Sequence, residues 1–84
     1  MRFCIVTFRS VTPAQRAELL LKKEGYFCQL YRTPRRLQDQ GCGYSIRISV
    51  KDVQACLELL HDSDVPYGKI YLLRGNYEIE EMIL

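Results

Sequence analysis

The chain has 84 residues, of which 48% are hydrophobic and 26% are charged, and its formal net charge is +2. A chain of this length supports one hydrophobic core, and its composition is far from that of disordered proteins. So small a net charge does not indicate nucleic acid or an anionic membrane, because those partners select clustered Lys and Arg. The apolar runs are too short for a membrane span or a signal peptide, so we expect a cytoplasmic protein that does not bind membranes.

The first half of the chain predicts a strand, a helix and a second strand. Residues 3–8 are β-branched and aromatic, which is typical of a buried strand. Thr12 as N-cap, with Pro13 after it, predicts a helix that ends near Glu24, before the left-handed stop that Gly25 favours. A second strand is predicted over residues 26–31, because Pro34 cannot continue a strand ladder. Residues 35–42 are predicted to form a loop.

The second half predicts the same three elements in the same order. From residue 44 onwards, apolar and polar residues alternate, which predicts a half-buried strand with Ser45, Arg47 and Ser49 on one face. Ser49 and Asp52 resemble a capping box, and a helix is predicted from there to about residue 62. A turn over residues 64–68 then leads to a fourth strand over residues 70–73.

The predicted order is therefore strand, helix, strand, strand, helix, strand. This order predicts an α+β, ferredoxin-like βαββαβ domain, with a four-stranded antiparallel sheet that has both helices on one face. We assign residues 1–75 to this domain and residues 76–84 to a C-terminal extension. Ile79, Met82 and Ile83 stand at helical spacing in the extension, so a short helix is predicted there.

The four cysteines differ in their predicted surroundings. Cys56 belongs to the apolar stripe of the second helix and is predicted to lie in the core. Cys4 and Cys28 lie in strands that the predicted sheet separates, so a disulfide between them is not expected. No two cysteines have the C-x-x-C spacing of a zinc site, and no metal is predicted.

Cys42 is the residue best placed to carry chemistry. It stands in the predicted loop, and loops lie at the surface where solvent and partners reach them. Gly41 and Gly43 flank it and permit backbone conformations closed to other residues, so their N–H groups could converge on a thiolate or an anion. The alternative is a tight turn with an inert surface cysteine.

Three arginines, Arg32, Arg35 and Arg36, stand on the same connection. Positive charge lowers the pKa of a nearby thiol, which favours the reactive thiolate form of Cys42. Arginines together with Tyr31 and Tyr44 would also suit RNA, but RNA-binding modules of this order carry their stacking aromatics where this chain has Ser45, Arg47 and Ser49. We therefore predict no nucleic-acid partner, and small-anion binding at this loop is the weakest of the alternatives.

The segment Thr33-Pro34-Arg35, followed by Leu37 and then by Cys42-Gly43, resembles a motif of the selenium or sulfur carrier protein-like family. The resemblance extends from residue 2 to about residue 74, nearly the whole chain. The members are small bacterial domains. The resemblance implies a carrier role for Cys42, with Arg35 and Gly43 as matching motif positions.

The leading hypothesis is a sulfur or selenium carrier that is not a true enzyme and needs no cofactor, since Cys42 would bind the carried atom covalently as a persulfide or selenide. Its partners would be a donor protein, such as a cysteine desulfurase, and an acceptor protein. The alternative is a non-catalytic interaction or regulatory module. In that hypothesis the open sheet face or the C-terminal tail binds another protein, a second copy of the chain included.

Overall fold

Three stretches of the chain are described by the computed structural model: residues 2–35, 43–74 and 78–82. Their elements follow in the order β1 (Phe3–Phe8), α1 (Val11–Lys23), β2 (Cys28–Arg32), β3 (Tyr44–Ser49), α2 (Val53–Asp62), β4 (Ile70–Arg74) and β5 (Glu78–Met82). A short 3-10 helix, Val50–Asp52, leads into α2. In the described part of the chain, no helix combines the length and the apolar composition needed to cross a membrane.

The N-cap of helix α1 lies two residues before the predicted one. Ser10 is the N-cap, with extended backbone angles (φ −143°, ψ 169°), and its side chain makes no capping hydrogen bond. Pro13 therefore lies within the first turn, where it fits because the first N–H groups of a helix have no helical acceptor. The prediction of Thr12 as the N-cap is therefore wrong.

The end of α1 also explains why β2 starts later than predicted. Gly25 adopts the left-handed conformation (φ +88°), as its position predicts. The next backbone N–H, that of Tyr26, donates to the Leu21 carbonyl at 2.9 Å. Tyr26 thus completes the helix end instead of joining the sheet.

The sheet has five antiparallel strands in the order β2-β3-β1-β4-β5. The prediction of a four-stranded sheet is wrong, since β5 is added to the edge that β4 would otherwise form. Residues 78–82 form a strand, and a strand allows the two apolar side chains of this segment to pack on opposite faces of the sheet. Met82 packs with the main core, whereas Ile79 packs on the other face. Successive side chains of a strand point to opposite faces, so residues three positions apart lie on opposite faces, whereas in a helix they would lie on the same face. The predicted C-terminal helix is therefore not observed.

The main core lies between the sheet and both helices. Cys4, Val6 and Phe8 of β1 meet Ala17 and Leu21 of α1 there. Four residues of α2 complete it at the spacing predicted for a helical stripe: Val53, Cys56, Leu57 and Leu60. The α+β class with two helices is thus as predicted.

The middle of the sheet face opposite the helices is covered by side chains of the same chain. Ile5, 2% exposed, and Tyr71 form a second apolar cluster, against which Tyr31, Leu73 and Ile79 pack. The sequence analysis treats this face as open, and that expectation is wrong for the middle of the sheet. The added strand β5 supplies part of the cover through Ile79.

Candidate functional site

Half of the predicted site lies in the described part of the chain. Arg32, Arg35 and Gly43 are described, whereas Cys42, Gly41 and Arg36 lie outside the described residues. The geometry of the site is therefore that of the two segments which enter and leave the loop. These segments are the end of β2 with residues 33–35, and Gly43 with the start of β3.

The two ends of the motif meet in space. The Thr33 N–H donates to the Gly43 carbonyl at 3.1 Å, one step beyond the β2–β3 pair Arg32–Tyr44. The Thr33 hydroxyl lies 2.7 Å from the Ser45 hydroxyl, and both residues are almost completely buried. Buried hydroxyls that satisfy each other fix the backbone that carries them. The sheet therefore holds both ends of the loop that contains Cys42.

Thr33 and Ser45 are residues of the candidate site that the sequence did not single out. Thr33 appears there only as part of the motif, and Ser45 only as a polar residue of an open face. An alternating strand pattern shows that Ser45 points away from the helices, but it does not show burial. The sequence signal for Thr33 is its position directly before Pro34, because a residue before a proline is held in an extended conformation.

Positive charge is present at this end of the sheet. Arg32 and Arg35 are both exposed, and in the described part of the chain neither forms an ion pair. The Arg32 guanidinium carbon lies 5.7 Å from the centre of the Tyr44 ring, a cation–π distance that keeps the charge beside the start of β3. Both arginines are thus free to attract an anionic group.

The predicted reason for a glycine at position 43 is its freedom to adopt left-handed backbone conformations. Its φ is outside the left-handed region, and a Cβ added to it would meet no atom within 4 Å. Gly43 therefore does not use the left-handed conformations that a glycine permits. In the structure, the Gly43 carbonyl accepts the hydrogen bond from the Thr33 N–H.

The three cysteines in the described part of the chain are buried. Their exposed fractions are 0% for Cys4, 4% for Cys28 and 0% for Cys56, and each is a free thiol on the helix-covered face. Burial raises the pKa of Cys4; it raises that of Cys28 to about 12 and that of Cys56 to about 11. The nearby charges of Glu18 and Asp52 raise the pKa of Cys28 and Cys56 further. These thiols are neutral and shielded at neutral pH.

The aromatic residues considered for RNA do not share a surface. Tyr31 packs on the face opposite the helices, whereas Tyr44 packs against the main core. Bases that stack on one sheet face need aromatics on that same face. Among the described residues, no group of three or more His, Cys, Asp or Glu side chains is arranged to hold a metal ion.

Comparison with known proteins gives one match. A family model described as "Putative Se/S carrier protein-like" matches residues 3–72, which is most of the chain. No curated protein and no solved structure matches the sequence at a significant level.

Proposed function

The chain belongs to the Se/S carrier protein-like family, and from this we propose that it carries sulfur or selenium covalently on Cys42 between a donor protein and an acceptor protein. The observation that carries the proposal is the burial of the other three cysteines. A carrier thiol must be reachable and ionisable, since the thiolate is the form that reacts. Cys4, Cys28 and Cys56 meet neither condition, so the role falls to Cys42.

The surroundings of the loop support this assignment. Arg32 and Arg35 are exposed cations at the end of β2, and positive charge near a cysteine stabilises its thiolate. The Thr33–Gly43 hydrogen bond and the buried Thr33–Ser45 pair hold the loop at both ends. We propose that Arg36 and the Gly41 N–H group assist in the same way.

The proposed transfer is an exchange between sulfur atoms. The Cys42 thiolate attacks the outer sulfur of a persulfide on the donor, for which a cysteine desulfurase is the expected class. A sulfur–sulfur bond forms at Cys42 while that of the donor breaks, and the donor leaves as a thiolate. A nucleophile of the acceptor then attacks the outer sulfur and releases the Cys42 thiolate. No external oxidant or reductant is consumed, and the reducing cytoplasm would keep Cys42 free for the next cycle.

Mass spectrometry after incubation with a cysteine desulfurase and cysteine tests the proposal. We expect an adduct of about +32 Da, one sulfur atom, on the peptide that contains Cys42, and its loss in Cys42→Ser. Cys56→Ala is the matched control, because it removes a buried thiol and should retain the adduct. An adduct that persists in Cys42→Ser, or none on the wild-type chain, would contradict the proposal.

The alternative function, a non-catalytic interaction or regulatory module, loses part of its support. Its argument rested on an uncovered sheet face or a free C-terminal tail. Residues 78–82 instead pair with β4 of the same chain, and Ile5 and Tyr71 are already buried within that chain. Full cellular activity of Cys42→Ser, together with loss of activity on removal of residues 76–84, would favour the interaction module over the carrier.

A further inference from the structure

A cavity of about 340 Å³ opens on the sheet face opposite the helices. Its lining comes from all five strands and from the segment that follows β2. Three apolar residues and three residues with polar groups form most of its wall: Ile5, Leu73, Ile79, Gln29, Tyr31 and Arg47. Pro34 of the Thr33-Pro34-Arg35 motif lines the same cavity. This composition, mainly apolar with a few polar groups, is typical of small-molecule sites.

The apolar part of the wall is built by three neighbouring strands. Ile5 lies in β1, Leu73 in β4 and Ile79 in β5, and Ile79 is paired in register with Leu73. Leu73 and Ile79 remain partly exposed, although they pack against the buried Ile5. They therefore present aliphatic surface that an apolar ligand group could cover.

Arg47 supplies a positive charge that the described part of the chain does not neutralise. Its Nη2 donates to the Gln29 Oε1, and its guanidinium carbon lies 4.6 Å from the centre of the Phe3 ring. Its Nε is shielded from solvent and has no acceptor, and none of the described carboxylates forms an ion pair with it. A shielded guanidinium donor without an acceptor is unfavourable, so an incoming acceptor would be favoured.

Tyr31 places a neutral donor in the same wall. Burial raises the pKa of Tyr31 to about 12, while the charge of Arg47 acts in the opposite direction. The phenol is therefore protonated at neutral pH. Arg47 lines the same cavity, so its positive charge lies on the wall that carries this phenol.

We propose that the cavity binds a small organic anion, with its carboxylate on Arg47 and its aliphatic chain against Leu73 and Ile79. The volume is at the lower end of the range of about 300–1,000 Å³ for ligand sites, which indicates a ligand with a short chain. The negative head group is favoured because the polar wall holds donors, from Arg47 and Tyr31, but no carboxylate among the described residues. This site does not depend on the role proposed for Cys42.

Titration of the full chain with hexanoate, followed by NMR of the methyl groups, tests the site. We expect saturable shifts of Ile5, Leu73 and Ile79, and hexanol should bind about tenfold more weakly because it lacks the charge. Arg47→Met should weaken hexanoate binding by a similar factor. Arg9→Gln is the control, since it removes an exposed cation outside the cavity and should leave binding unchanged.

A second variant keeps the test valid if Arg47→Met unfolds the chain. Gln29→Glu is nearly isosteric and places a carboxylate next to the Arg47 guanidinium, so it should compete with hexanoate and weaken its binding while the fold is retained. Absence of saturable shifts up to roughly 20 mM, or equal binding of hexanol and hexanoate, would overturn the proposal. Shifts at Leu73 and Ile79 that depend on protein concentration alone would also overturn it, in favour of a second copy of the chain.

Discussion

Thr33 lies at the end of β2 with its hydroxyl 2.7 Å from that of Ser45, and both side chains are almost completely shielded from solvent. A buried hydroxyl that loses its partner costs more than the net value of the bond, because its desolvation is no longer offset. At the residue scale, this pair is where the loop motif is joined to the sheet.

Thr33→Val should reduce the free energy of unfolding by about 1–3 kcal/mol, because it leaves the Ser45 hydroxyl buried without this partner. Urea unfolding measures the loss. In the double variant Thr33→Val, Ser45→Ala, part of the stability should return, whereas Thr12→Val at an exposed position should change little. If the stability loss of the double variant equalled the sum of the losses of the two single variants, the two hydroxyls would not interact.

Stability should fall as the pH rises above the ordinary thiol pKa of 9.0. In the unfolded chain the thiols ionise near that value, whereas in the folded chain the pKa is about 11 for Cys56 and about 12 for Cys28. The stabilisation is therefore complete below pH 9 and is lost as the pH rises towards the folded values. At pH 10 the ionisation of each thiol should lower the free energy of unfolding by roughly 1–2 kcal/mol relative to pH 7.

Cys56→Ala tests this pH dependence in urea unfolding. The variant should be less stable at pH 7 by about 1 kcal/mol, because it removes a buried sulfur atom. The stability that it loses between pH 7 and pH 10 should be smaller than the loss of the wild-type chain by roughly 1–2 kcal/mol. An unchanged loss would mean that Cys56 ionises in the folded chain as readily as in the unfolded one.

At the scale of elements, helix α1 protects the outer edge of the sheet. The backbone N–H of Leu30, in the edge strand β2, donates to the Glu18 Oε2 at 3.3 Å, and the same carboxylate oxygen pairs with Lys22 Nζ at 3.3 Å. Unpaired edge N–H groups invite pairing with other chains, so a side chain that accepts from one of them limits association.

Glu18→Ala should speed hydrogen exchange at the Leu30 amide and lower the free energy of unfolding by about 1 kcal/mol. Lys22→Ala is the matched control. It removes the partly exposed ion pair, worth less than about 1 kcal/mol, and keeps the bond to the edge. Equal exchange at Leu30 in both variants and in the wild-type chain would show that Glu18 does not protect this amide.

Strand β5 covers β4 at the edge of the sheet far from β2. The Cys4 thiol lies 3.6 Å from the Met82 Sδ, and Ile79 covers the cluster on the other face. Burial of an aliphatic or Met side chain contributes about 1.5–3 kcal/mol when it is complete. Two partly buried residues and a strand ladder therefore contribute measurably to stability.

Removal of residues 75–84 should lower the free energy of unfolding by about 2–4 kcal/mol and promote association through the exposed edge of β4. At low temperature the shortened chain should still accept sulfur on Cys42. Glu81→Gln, which removes only a half-exposed ion pair with Lys69, should cost less than about 1 kcal/mol. Stability unaltered by the deletion would show that β5 does not cover the sheet.

At the scale of the whole molecule, both faces of the sheet are covered from within one chain. The large hydrophobic residues that remain exposed in the described part are Leu19, Phe27 and Tyr67, which lie on α1, in the α1–β2 connection and in the α2–β4 turn. They lie on different elements, and isolated exposed apolar residues are normal on monomeric proteins.

We therefore expect the chain to be a monomer at about 100 μM in sedimentation velocity experiments, since a stable dimer buries roughly 1,200–2,000 Å² in a contiguous interface. Leu19→Lys should leave the sedimentation coefficient unchanged. A dimer that Ile79→Lys dissociates would contradict the expectation and place the interface on the sheet face.

Much of the fold could be predicted from local patterns, whereas the site could be predicted only in part. The helices, the first four strands, the core position of Cys56 and the left-handed Gly25 follow from periodicity and from the steric freedom of glycine. The Thr33-Pro34-Arg35 motif indicated the family. The contact between Thr33 and Ser45 could not be predicted, because it depends on the register of β2 and β3.

The sequence by itself determined which residues form helices and which side of each strand the apolar residues occupy, because both depend on backbone geometry over a few residues. Only the tertiary structure decided that Ile79 and Met82 belong to a fifth strand, that Ser45 and Ser49 are buried, and that Arg47 lines a cavity. Burial and pairing are properties of side chains brought together from distant positions. A local pattern shows the direction in which a side chain points, but it does not show what lies opposite.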